Sequence, residues 1–231
     1  MRILFVRPDF DVPTHWVSEY LGREVGYTIS RGHWVRDLHA EEATPENVVR
    51  AVEVFDPELM ILLGHGSPAE FTVQHKAEVM RKCSIPFDVT GRKGYFTSCL
   101  VGQELGPDLV DKGLKAFVGY TTEFIFTFDP GYWNDPSSDP RARPFLEPAM
   151  VPVRYLVDGR SHLEAYWATV RAYNSWIDRL YGMPEPEVAD MINYLAHDRD
   201  GLIALPGGPP PAPGIPWELP VAIGVTALLV A

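Results

Sequence analysis

The chain has 231 residues, with ordinary apolar and charged fractions of 46% and 22%, enough for one good-sized core. Its formal charge of −11 divides as 13 basic against 17 acidic residues up to position 120 and 7 against 14 beyond it. No basic stripe interrupts that acidity, which argues against nucleic acid as a partner. Two cysteines, Cys83 and Cys99, are too few for a disulfide scaffold and fit a reducing, cytoplasmic compartment.

In chain order, Arg2–Val6 is a β-rich run stopped by Pro8, too short for the apolar core of a signal peptide. Thr14 is positioned to cap a first helix bearing Trp16, Val17, Tyr20 and Leu21 and ending near Gly22 or Gly26. Trp34–Leu38 reads as a second strand. Thr44-Pro45-Glu46 starts a helix with a threonine cap and proline in the first turn, and Asp56-Pro57 stops it. Leu59–Leu63 is apolar throughout, the pattern of a strand covered on both faces. It ends in Gly64-His65-Gly66. Phe71–Arg81 is expected to be helical, and Pro86–Lys93 a loop.

Gly94–Tyr120 reads as strand, turn, short helix and strand, a right-handed parallel unit. Cys99 falls where its first strand ends. Beyond it, Thr121–Asp129 is β-like and aromatic, and Gly131–Arg143 a long surface loop near the site. Ser161-His162-Leu163-Glu164 is a capping box that opens an amphipathic helix through Leu180. Glu187–His197 is a further helix, and Leu202–Leu205 a last extended piece.

Strand and helix alternate throughout the first half, which predicts an α/β fold with a doubly wound, mostly parallel sheet and helices on both faces. The predicted organisation is a domain over 1–205, with a helical extension at about 145–200, then a Pro/Gly-rich linker over 206–218 and an apolar tail over 219–231. That tail carries no charge, yet it is shorter than the roughly 20 residues a spanning helix needs. It reads as a membrane anchor cut short at Ala231, or as a segment that docks on a partner or on its own domain. Composition says nothing of the oligomeric state.

An open parallel sheet puts its chemistry at the carboxyl ends of its strands. His65 and Cys99 both follow such ends, and if their strands are neighbours the two residues share one rim. A free cysteine is more often a small buried hydrophobe, so the pairing with His65 carries the functional reading. The other histidines show no zinc-type spacing, and Ser67 and Ser98 lack the turn of a serine hydrolase. Gly64 and Gly66 lack the third glycine of a dinucleotide site. Cys83 follows a helix-like segment and reads as a surface or structural thiol. Glu123 and Asp129 lie past the strand ending at Gly119, where a carboxylate could pair with a basic side chain of a ligand.

A strand ending in His65-Gly66, followed by a strand ending in Ser98-Cys99 and continuing into Gly113-Leu114-Lys115-Ala116-Phe117-Val118-Gly119, resembles the caspase-like cysteine peptidases, closest to the CHAT and gingipain branch. The resemblance covers roughly residues 1–128. It implies a cysteine endopeptidase with Cys99 as nucleophile and His65 as general base and acid. It also implies an oxyanion hole from the backbone N–H groups of Gly66 and Cys99, a peptide or protein substrate and no cofactor or metal. The physics agrees: a thiol attacks a carbonyl when partly exposed and ionised, which a nearby imidazole promotes. An inactive member of the same fold, acting as a scaffold or assembly subunit through its tail, is the alternative.

Overall fold

The computed structural model describes residues 1–183, 186–206 and 227–229. A six-stranded sheet runs through the molecule, built from β1 (Arg2–Arg7), β2 (Trp34–His39), β3 (Leu59–Leu63), β7 (Lys93–Thr97), β8 (Ala116–Tyr120) and β10 (Leu202–Leu205). Their order is β10-β8-β7-β3-β1-β2, with all neighbours parallel except β10, which pairs antiparallel with β8. The protein is therefore α/β with a mixed, mostly parallel sheet.

Period-two alternation splits the strand side chains between two cores. Ile3, Phe5, Leu59, Ile61, Leu63, Tyr95 and Val118 face one side, under α1 (Val12–Ser30), α4 (Arg143–Val157), α5 (His162–Leu180) and α6 (Pro186–Gly201). Leu4, Val6, Met60, Leu62, Phe96 and Phe117 face the other, under α2 (Pro45–Arg50) and α3 (Leu105–Asp111). Each fully buried Leu, Ile or Phe contributes roughly 1.5–3 kcal/mol, so both faces are needed to hold the sheet.

Several expectations are corrected. Phe71–Arg81 is not a helix. It forms β5 (Glu70–Thr72) and β6 (Glu78–Arg81), which pair antiparallel with each other, and β5 also pairs with β4 (His65–Gly66). His75 and Lys76, at φ 55 and 58, make the left-handed turn that breaks helical continuity. Phe71, Val79 and Met80 are thereby laid on the second core.

The first helix begins at an Asp11 cap rather than at Thr14 and runs to Ser30. Asp11 and Thr14 form a reciprocal capping box, and neither Gly22 nor Gly26 stops the helix. Gly131–Arg143 is not a free surface loop. Two 3₁₀ turns fold it around the buried Asp139, which accepts from Trp16 Nε1 at 2.9 Å and from the Asp129 N–H at 2.8 Å. Helix α4, at the start of the expected helical extension, contains Pro148 and Pro152. Each interior proline costs about 3 kcal/mol of helix stability, and here both rings are buried against the first core.

The proposed linker lies outside the described residues except for Pro206. Of the apolar tail, only β11 (Ala227–Leu229) is described, and it pairs antiparallel with β9 (Ile125–Thr127) of the chain's own domain. Among the described residues, no helix is long and apolar enough to cross a membrane.

Candidate functional site

Strands β3 and β7 are adjacent and parallel, with Leu63 paired to Thr97. His65 and Cys99 each follow by two residues, so the sheet brings both backbones to one rim. Gly66 seats directly on this junction. A Cβ there would collide with the Cys99 carbonyl oxygen and meet Val101 Cγ1 at 2.6 Å. Only glycine allows so close an approach.

The two side chains then part. The His65 imidazole, 5% exposed, donates from Nε2 to Asp11 Oδ2 at 2.7 Å and meets the Phe10 ring edge-on at 5.6 Å. A carboxylate only accepts, so Nε2 carries a proton, and of the two neutral tautomers this is the one with its lone pair on Nδ1. Nδ1 is buried with no hydrogen-bond partner among the described residues. Burial of Asp11 raises its carboxyl pKa, but hydrogen bonds from His65 and Thr14 outweigh this and hold it below the usual range.

Neighbouring pairs continue the pattern along this rim. His15 bonds Asp9 at 3.0 Å, His39 lies 3.6 Å from Asp9, and His75 lies 3.4 Å from Glu41. Among the described residues, no three His, Cys, Asp or Glu side chains are arranged to hold a metal ion.

The Cys99 side chain belongs to the first apolar core and is fully buried. Its Sγ accepts the Phe124 N–H at 3.2 Å. Burial pushes the thiol pKa up to about 12, against a smaller lowering from that N–H and a small further raising by the nearby Asp198 and Glu123. At pH 7 such a thiol is ionised in roughly one molecule in 10⁵. The expected exposed, ionised nucleophile is thus not present in this conformation. The backbone beyond it is bent sharply: Leu100 sits at φ 62, its N–H on the Thr122 carbonyl at 3.0 Å, and the Gly102 N–H on the Tyr120 carbonyl at 2.8 Å.

The end of α6 holds the backbone segment whose Phe124 N–H meets the thiol. Asp198 is fully buried. Its Oδ1 accepts the Ile125 N–H at 2.9 Å, while Oδ2 has no partner among the described residues. Burial raises its pKa well above the ordinary value, which favours the neutral acid. His197 donates from Nε2 to the Glu123 carbonyl at 3.0 Å, and burial lowers its pKa.

Of the remaining predicted residues, Glu123 is half-buried at the turn that holds the thiol. Asp129 lies further on, its carboxylate capping its own turn through the Gly131 N–H at 2.9 Å. Cys83 is exposed, as a surface thiol should be. Asp11 and Asp198 were missed. Asp11 had a signal, since it follows the first strand and so lies on the same rim; Asp198 had none, being one acid among several on a helix. A groove of about 710 Å³ between Tyr155, Asp158, Leu163 and Trp167 opens near the carboxyl end of α1, where Asp158 bonds Tyr27 and Arg31. That is the amino end of the strands, away from His65 and Cys99.

The rim thus offers an oriented imidazole and a thiol on one junction, the thiol neutral and covered. A scan against protein-family models finds no match to this chain, and a search of the curated proteins finds no similar sequence.

Proposed function

We propose that the chain is a caspase-like cysteine endopeptidase held in a closed state, and that its α/β sheet is the caspase-like form of that architecture. The observation that carries this reading is the shared junction: His65 and Cys99 follow the paired residues Leu63 and Thr97 by the same two positions, with Gly66 packed on the Cys99 carbonyl. The Asp11 carboxylate adds the orienting third group that a thiol–imidazole pair uses.

In the open state, Nδ1 of His65 takes the thiol proton and Cys99 Sγ attacks the scissile carbonyl carbon. The oxyanion is held by the backbone N–H groups of Gly66 and Cys99. The imidazolium then returns its proton to the leaving amine, and water hydrolyses the thioester with the imidazole as base. Glu123, whose charge bears on the thiol, supports a preference for Arg or Lys before the cut bond; Asp129, spent on its own turn, supports it less. The substrate is a peptide or protein in a reducing, cytoplasmic setting.

A second reading is favoured by one observation, the complete burial of the thiol. On it the chain is a non-catalytic scaffold or assembly subunit acting through its tail. A fluorogenic peptide panel varying the residue before the cut separates the two. The peptidase reading expects Cys99→Ala to abolish turnover and His65→Ala to lower it by roughly 10²–10⁴-fold with little change in Tm. Turnover that survives Cys99→Ala excludes the mechanism.

A further inference from the structure

Strand β9 stands outside the six-stranded sheet. Its one strand partner among the described residues is β11, from the chain's own C-terminus, with Ala227 opposite Thr127, Leu228 opposite Phe126 and Leu229 opposite Ile125. Strand β9 starts next to Phe124, whose N–H holds the Cys99 sulfur at 3.2 Å. The N–H of Ile125 in turn is held by Asp198 Oδ1 at 2.9 Å. Paired strands lie about 4.8 Å apart, so the backbone of Leu229 comes within one strand spacing of the segment that closes over the thiol.

The chemistry of the two segments matches. Glu123-Phe124-Ile125-Phe126-Thr127-Phe128 is rich in β-formers, and an uncovered edge of that kind is a template for strand addition. Leu219–Ala231 supplies thirteen residues without a charge. Main-chain pairing to an apolar strand needs nothing else.

We propose that the β9 edge is a docking site for an extended apolar strand, and that the chain's own C-terminal segment fills it in cis as a strap that keeps Cys99 closed. The strap fixes Ile125–Thr127 from its open edge, while Asp198 holds its first residue and Cys99 the residue before it. Releasing it frees the Phe124–Ile125 segment to move off the sulfur. This inference does not depend on Cys99 being a nucleophile.

The test reads thiol exposure rather than turnover, so its failure and that of the peptidase reading are distinguishable. In a full-length Cys83→Ser background, Cys99 is the only thiol, and its alkylation by iodoacetamide is followed by mass spectrometry. Hydrogen-bonded and non-hydrogen-bonded pairs alternate along an antiparallel ladder, so one of Leu228→Pro and Leu229→Pro must remove a ladder donor. That variant, and a chain ending at Pro206, should label about tenfold faster or more than the full chain. A synthetic peptide of residues 219–231, made soluble by added lysines, should restore slow labelling to the shortened chain. Equal rates in the full chain and both proline variants overturn the proposal. So does fast labelling of the shortened chain that the peptide leaves unchanged. If the shortened chain fails to fold by circular dichroism, the proline variants decide.

Discussion

The two halves of the rim are built from the same kind of strand end and reach opposite electrostatic states. On the β1–β3 side, carboxylates and imidazoles are paired at hydrogen-bond distance: Asp11 with His65, Asp9 with His15. Hydrogen bonding to the charged form outweighs partial burial, and Asp11 stays ionised. On the β7–β8 side, desolvation of the buried Cys99 and Asp198 outweighs the hydrogen bonds they accept, and it disfavours the charged form of each. Desolvation weighed against the donors within reach separates a poised charge from a silent one.

Three substitutions break or sharpen this contrast. Gly66→Ala strikes the junction between the halves, forcing a methyl group onto the Cys99 carbonyl and to 2.6 Å from Val101. Overpacking of this kind should cost about 2–3 kcal/mol, read in a thermal scan as a Tm fall of roughly 5–10 °C.

Asp198→Asn keeps an acceptor for the Ile125 N–H and removes the acid from the silent half. The folded-state pKa of Asp198 lies above its unfolded value, so between the two the native state holds a proton that the unfolded chain has released. Wild-type stability therefore falls as pH rises above about 4, by up to about 1.4 kcal/mol per pH unit, until the native pKa is passed. Urea unfolding at pH 4, 5.5 and 7 should show the Asn variant gaining on wild type as pH rises. A gap that shrinks instead would mean that Asp198 is charged in the fold.

Asp11→Asn acts on the poised half and is the smallest effect. Asparagine caps a helix as well as aspartate, so α1 should hold and the loss should be about 1 kcal/mol, from the charge-assisted bond to His65. The native Asp11 pKa is depressed, so this stabilisation is present above the unfolded pKa and is lost as pH falls through the native one. Difference unfolding curves for wild type and variant should converge as pH falls from the unfolded carboxyl pKa through the lower native one. If the peptidase reading holds, the same change should reduce turnover about tenfold while leaving KM nearly unchanged.

How much of this was legible beforehand differs by region. The strands β1, β2, β3, β7 and β8 carry runs of apolar residues bounded by glycine, proline or aspartate, and those signals survive any context. The capping box at Ser161 likewise fixed the start of α5. The hairpin over Glu70–Arg81 was misread because Phe71, Val73, Ala77 and Met80 also fit a helical face. What excludes a helix there is a left-handed turn at His75 and Lys76, neither of them the glycine or asparagine that usually marks one. Helix α4 lies within the helical extension expected over about 145–200, but its bounds were not legible, because the cost of Pro148 and Pro152 inside it is met by burial, a tertiary quantity.

The meeting of His65 and Cys99 on one rim was legible only as a condition, that their strands be neighbours. Connectivity does not decide it, since β2 and β3 are joined by α2 yet lie apart, while β3 and β7 are joined by the β4–β6 strands and lie side by side. The ionisation of those groups was not legible at all. Whether a thiol or a carboxyl is charged depends on the donors and water left around it, and those come from Phe124, Asp198 and Asp11, residues far away in sequence that only folding brings to the site. Local pattern determines which residues reach the rim; the depth at which they are packed decides what each can do there.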